Sequence, residues 1–62
     1  SRREVQVATL LAEGKSAPQI AADLHIAPST VDVHRRNLMR KLDLHNVVEL
    51  TRYAVRTGLV PP

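Results

Sequence analysis

The stretch Ser16 to Leu42, SAPQIAADLHIAPSTVDVHRRNLMRKL, decides the fold. Ser16-x-x-Gln19 has the spacing of a capping box, in which the serine and the glutamine each satisfy a backbone N–H of the other at a helix start. Pro18 follows in the first turn, where a missing N–H costs nothing. Ile20, Ala21 and Leu24 then repeat at helical spacing. His25-Ile26-Ala27 reads as a turn, and Pro28 opens a longer helix that runs to about Leu42. At about 100° per residue, Val31, Leu38 and Leu42 fall on one side of this helix, with His34 and Arg35 at its edges. Ser29, Val33, Arg36 and Arg40 collect on the other side, flanked by Asp32 and Asn37. The first side is turned to a core and the second is left for a partner. Ala27 stands at the helix start without a side-chain oxygen, a loss of about 0.5–2 kcal/mol unless Ser29 shifts into the capping role.

Working outward, one helix precedes this pair and one follows it. Ser1-x-x-Glu4 is a second capping box, Val7, Ala8, Leu10 and Leu11 supply an apolar face, and Gly14 closes the helix. Asn46-x-x-Glu49 repeats the box ahead of a last helix that ends at Gly58. Leu59 and Val60 are placed to fold back as a short apolar tail before Pro61 and Pro62. No repeat, low-complexity tract or strand-period alternation interrupts the pattern. The expected class is all-α, a compact four-helix bundle forming one domain over residues 1–62.

Composition narrows the function. A chain of 62 residues buries only about 60% of its unfolded surface and has no room for a large substrate pocket. Without cysteine there is neither a disulfide framework nor a thiolate zinc site. His25, His34 and His45 lie too far apart for two ligands on one helix turn, so no metal or other cofactor is expected. No nucleophile stands near a base, and no glycine-rich loop or carboxylate pair is visible, so the chain reads as a non-enzyme. No apolar run nears the roughly 20 residues of a membrane span, and no signal peptide opens the chain. A soluble, cytoplasmic protein is expected, and the abrupt start suits a piece of something longer.

Charge then points to a partner. The formal net charge of +3 resides in the helix from Pro28 to Leu42, where Arg35, Arg36, Arg40 and Lys41 face the single Asp32. Outside that helix five basic residues balance five acidic ones. Excess positive charge on one helix suits a polyanion, because neutralising phosphates releases condensed counterions. A short helix, a tight turn and a longer basic helix is the order of a helix-turn-helix, whose second helix enters the DNA major groove.

These residues carry a family resemblance. Ile20-Ala21-x-x-Leu24-x-Ile26-x-x-x-Thr30-Val31-x-x-His34-x-x-x-Leu38-x-x-Lys41-Leu42 resembles the central signature of the LuxR/NarL (GerE-type) DNA-binding domain. Arg3-Glu4-x-x-Val7-x-x-Leu10-Leu11-Ala12-Glu13-Gly14-Lys15-Ser16 and Asn46-x-Val48-Glu49-Leu50 extend the resemblance over essentially the whole chain. It implies the C-terminal output domain of a bacterial transcription regulator, joined to an N-terminal receiver or ligand-sensing domain. The receiver, and hence a two-component response regulator, is preferred on family frequency. Region 4 of a sigma factor is the nearest competitor, but it generally lacks a capped fourth helix after its Lys-Leu. RNA polymerase is a further partner, for which the sequence marks no surface.

Roles follow from face and chemistry together. Arg36 centres the outward face, and a guanidinium can donate twice to guanine O6 and N7. Val33 offers an apolar contact for a thymine methyl. Asp32 departs from the family, which often has lysine there. It can accept from cytosine N4 or align Arg36 through an i,i+4 pair, and alignment is the preferred role. Ser29, Thr30, Arg35, Arg40 and Lys41 are assigned to phosphates, although the hydroxyl of Thr30 also suits a local cap. His34 reads as a partly buried packing residue.

The last helix has more apolar surface than one core needs. Val47, Leu50 and Ala54 make one stripe, and Val48, Thr51 and Val55 make a second. The second is a candidate subunit interface, in keeping with the family's pairing on inverted-repeat sites. The reading is therefore sequence-specific duplex DNA binding for transcription regulation, as a homodimer on DNA, with residues 28–42 in the major groove. The alternative from a different class is a protein-interaction module that docks its basic helix on an acidic partner.

Overall fold

The computed structural model describes residues 1–62 and contains four helices and no strand. They are α1 (Arg2–Ala12), α2 (Ala17–Leu24), α3 (Pro28–Leu42) and α4 (Val47–Arg56). The all-α expectation is borne out. No helix is long and apolar enough to cross a membrane.

Local chemistry sets the ends of each helix. At α1, the Ser1 side chain accepts from the Glu4 backbone N–H while the Glu4 carboxylate takes the Ser1 nitrogen, so the box is complete. Gly14 ends the helix at φ +97°, with the Lys15 N–H donating to the Leu10 carbonyl at 3.1 Å and that of Gly14 to Leu11 at 3.0 Å. That pair of bonds is a Schellman closure, for which glycine carries no Cβ penalty. The Ser16–Gln19 box at α2 is also complete. The Asn46 box is only half made, because Glu49 accepts from the His45 N–H at 2.8 Å rather than from Asn46.

The turn between α2 and α3 is held by backbone geometry. His25 adopts the left-handed conformation at φ 58°, and the Ile26 N–H donates to the Ala21 carbonyl at 3.0 Å. Ile26 then packs on the apolar cluster beneath it. Ala27 caps α3 without any side-chain hydrogen bond, so the compensating shift of Ser29 does not occur. Asp43 reverses the chain after α3 in the same left-handed conformation, at φ 56°.

Two buried clusters share α1. Val7, Ile20, Ala21 and Val31 join α1, α2 and α3, with Leu10, Leu11, Leu24 and Ile26 around them. Ala8, Leu38 and Leu50 join α1, α3 and α4, with Leu11, Leu42 and Leu44 at their edge. Consequently α1 packs against each of the other helices, and Leu11 touches both clusters. The tail folds back as expected: the Leu59 N–H donates to the Ala54 carbonyl at 2.8 Å and Val60 is buried.

Two residues depart from the helical-wheel reading. Val47, grouped with the core stripe of α4, is 52% exposed. It is the first residue of the helix, one turn ahead of Leu50, and burial begins only at Leu50. Met39, given no role by the wheel, is buried. It lies on the flank of α3 beside Arg35, whose Nη1 is 3.6 Å from its sulfur.

Candidate nucleic-acid interface

Burial of Val31, Leu38 and Met39 fixes the rotation of α3, and with it what the helix presents outward. Ser29, Thr30, Val33, Arg36 and Arg40 are exposed, whereas Asp32, His34, Arg35 and Asn37 are half-buried along the two flanks. Val33 is 43% exposed in the middle of a polar face. Arg40 leans back along the helix, its Nη2 donating to Asn37 Oδ1 at 3.1 Å. The last turn holds two cations, Arg40 and Lys41, and no acid, which complements the partial negative charge of a helix C-terminus.

Asp32 organises one flank. Its Oδ1 accepts from both Nε and Nη2 of Arg35, at 3.2 and 2.6 Å. Its Oδ2 lies 3.2 Å from Nε of Arg36. Each carboxylate oxygen thus meets a different guanidinium. The hydrogen bonds from Arg35 hold the Asp32 carboxyl below its ordinary range, helped by the charges of Arg35 and Arg36 and opposed by partial burial. The i,i+4 link to Arg36 has the anticipated spacing. The i,i+3 link to Arg35 was equally available from spacing and is the more fully bonded of the two.

A second acid holds the far end of α3. Glu4 on α1 is the buried charged residue of the domain, and its Oε1 receives the Lys41 ammonium at 3.0 Å. The bond from Lys41 lowers the Glu4 carboxyl below its usual value, with burial acting against it. The sequence marks Glu4 as a capping residue only. Its second partner lies 37 positions away and no local spacing signals it. Of the five residues assigned to phosphate, Ser29, Thr30 and Arg40 therefore face outward. Arg35 is drawn to Asp32 and Met39, and Lys41 is drawn to Glu4.

The outward side of α4 is chemically different. Leu50 and Ala54 are buried against the domain, while Val47, Val48 and Val55 are exposed and Thr51 is half-buried. The Thr51 hydroxyl donates to the Val47 carbonyl at 2.8 Å, so its polar group is satisfied within the helix, between Val48 and Val55 in the stripe.

Comparison with known proteins gives a consistent result. Residues 1–54 match the family described as bacterial regulatory proteins, luxR family. The chain is 54% identical over 52 residues to the transcriptional regulatory protein UhpA of Escherichia coli strain K12, covering 84% of this chain and 26% of that protein. It is 41% identical over 59 residues to the response regulatory protein YgeK of the same strain, covering 95% of this chain and 40% of that one. Identity to the response regulator UvrY of that strain is 37% over 59 residues, covering 95% of this chain and 27% of the relative. The chain thus spans between about a quarter and two fifths of these relatives' lengths. No solved structure matches it.

Proposed function

The chain belongs to the luxR family of bacterial regulatory proteins, and from that premise we propose that it reads duplex DNA as one half of a dimer on an inverted repeat, with α3 in the major groove. The observation that carries this reading is the outward face of α3, which is basic and turned away from the core, with Val33 exposed among its polar side chains. Arg36 is assigned to a guanine edge and Val33 to a thymine methyl, with Asp32 beside them. Ser29, Thr30, Arg35, Arg40 and Lys41 are assigned to phosphates, where they set register without reading sequence. Arg35 and Lys41 must first turn from their carboxylate partners.

Val48, Thr51 and Val55, together with Val47, form the proposed contact between two copies. So few side chains fall short of the roughly 800 Å² per partner of a stable interface. Pairing is therefore expected on DNA, where the two half-sites hold the copies together, rather than in free solution. The names of two relatives, a response regulatory protein and a response regulator, support a place in a two-component response regulator; a receiver domain in the same protein and a cytoplasmic location go with that reading.

Selection from a random duplex pool at near-physiological salt tests the proposal. The expected outcome is enrichment of an inverted repeat whose half-sites lie about 10 base pairs apart, lost with Arg36→Ala. Retention without enrichment leaves only an electrostatic binder. A folded chain that retains no duplex overturns the DNA reading and favours docking on an acidic protein.

A further inference from the structure

We propose that Asp32 is a specificity-determining positioning residue. On this reading its carboxylate, shared between Arg35 and Arg36, weakens attachment of α3 to phosphates in general and presents one edge of Arg36 to a base. The proposal rests on the DNA reading above and adds to it. Four observations carry it. Asp32 is the sole acid on a helix with four cations. Oδ1 accepts two hydrogen bonds from Arg35, and Oδ2 forms an ion pair with Arg36 at 3.2 Å. It lies at the margin of the outward face, with its side chain 47% exposed. Its carboxyl is held ionised by the arginines it pairs.

The consequences differ for the two arginines. Arg35 commits Nε and Nη2 to Oδ1, so reaching a phosphate means giving up a two-pronged charge-assisted contact. Arg36 is ion-paired with Asp32 through Nε at 3.2 Å, and its terminal Nη groups make no hydrogen bond in the structure. That pair of donors matches guanine O6 and N7. A guanine can therefore be read without breaking the link to Asp32, whereas a phosphate must compete with it.

The environment of the groove strengthens the effect. In water the exposed pairs are weak. Between base edges and protein the dielectric falls, so a paired arginine is held more firmly and an unmatched carboxylate is repelled more strongly. A docking register that leaves Asp32 near phosphates without satisfying Arg36 is disfavoured. Asp32 thereby sacrifices general affinity and gains discrimination, a repulsive element of the kind that specificity requires. Direct acceptance from cytosine N4 is the competing role, because Oδ2 is ion-paired but accepts no hydrogen bond, and a scrambled duplex separates the two.

The test compares the 62-residue chain with Asp32→Asn on two duplexes, the enriched site and a scrambled sequence of equal length, across a salt series. Asparagine keeps the shape and removes the charge. Asp32 bonds only within its own helix and is half exposed, so the two melting temperatures should differ only slightly, with Asp32→Asn the lower. Binding of the variant to scrambled duplex should tighten by up to about tenfold at about 0.1 M salt, with a salt slope steeper by about 0.9. The ratio of specific to scrambled affinity should fall by a similar factor. Arg35→Ala should leave that ratio nearly intact, because Arg35 is the partner held back from phosphate.

Two outcomes overturn the proposal while leaving DNA recognition standing. One is an unchanged affinity ratio in Asp32→Asn. The other is a loss confined to the enriched site, with scrambled binding unmoved, which would make Asp32 a direct reader of one base pair. A wild-type chain that binds neither duplex overturns the DNA reading itself, and this inference with it.

Discussion

The outward faces of α3 and α4 are built on the same plan and filled with opposite chemistry. Each helix buries a short apolar stripe, Val31 and Leu38 on α3 and Leu50 and Ala54 on α4. Beyond that stripe α3 presents arginines and hydroxyls around a lone exposed valine, whereas α4 presents Val47, Val48 and Val55. The inner faces account for stability. The outer faces, which stability does not constrain, differ according to what they are expected to meet: a hydrated polyanion on one side, a second copy on the other. A small domain can thus assign each helix two tasks, one per face.

Substitutions that separate inner from outer faces test this contrast, beginning with the largest effect. Leu50→Ala should cost about 2–5 kcal/mol through lost burial and a residual cavity. Measured by urea melts, a domain of this size would be largely unfolded by such a change. Val48→Ser, two positions earlier and 54% exposed, should move the same melt by no more than about 0.5 kcal/mol. A large effect at Val48 would mean that the outer stripe supports the fold instead of a partner.

On the outer face of α3, Arg36→Ala should lose about 1–3 kcal/mol on the enriched duplex and little on a scrambled one. Its melting curve should lie close to that of the parent, since the Arg36 side chain is 62% exposed and its ion pair is with Asp32 on the same helix. Next comes Val48→Asp on the outer face of α4. The variant should bind a single half-site normally and lose about 1 kcal/mol or more of the added affinity of the inverted repeat. Gel mobility on one-site and two-site duplexes distinguishes these cases. Arg40→Ala should weaken enriched and scrambled duplexes alike and lower the salt slope by about 0.9. Unequal losses would move Arg40 from positioning to reading.

The two acids of the interface predict a pH dependence of stability. Lys41 lowers the Glu4 carboxyl below its ordinary 4.5, so the folded state binds this proton less readily than the unfolded state. The corresponding stability is fully present above about pH 4.5 and is lost as pH falls through the lowered value. Glu4→Gln should lower the neutral-pH melting temperature and flatten the acid limb of the stability curve. An unchanged limb would show that the link between α1 and the end of α3 contributes nothing. Asp32 has the same sign but is more exposed, so its share of that limb should be the smaller.

Much of this molecule follows from local rules. The capping boxes at Ser1 and Ser16, Pro28 at the start of α3, the Asn46 cap of α4 and the apolar spacings of α1 and α3 place the four helices, because each depends on residues within a turn of one another. The outward set of Ser29, Val33, Arg36 and Arg40 follows from period alone once Val31 and Leu38 point inward. The i,i+4 link of Asp32 to Arg36 is legible for the same reason.

Tertiary structure alone decided the remainder. Glu4 is a capping residue by spacing and becomes the anchor of Lys41 only when α1 crosses the end of α3. Met39 is buried and Val47 exposed because burial depends on which neighbour covers each position, and helical period carries no information about where a neighbouring helix stops. Sequence determined which residues could pair within a helix and which faces were apolar. Packing determined which cations were already held by acids and which apolar side chains remained uncovered. Those outcomes depend on residues far apart in the chain meeting in space, and no local pattern encodes them.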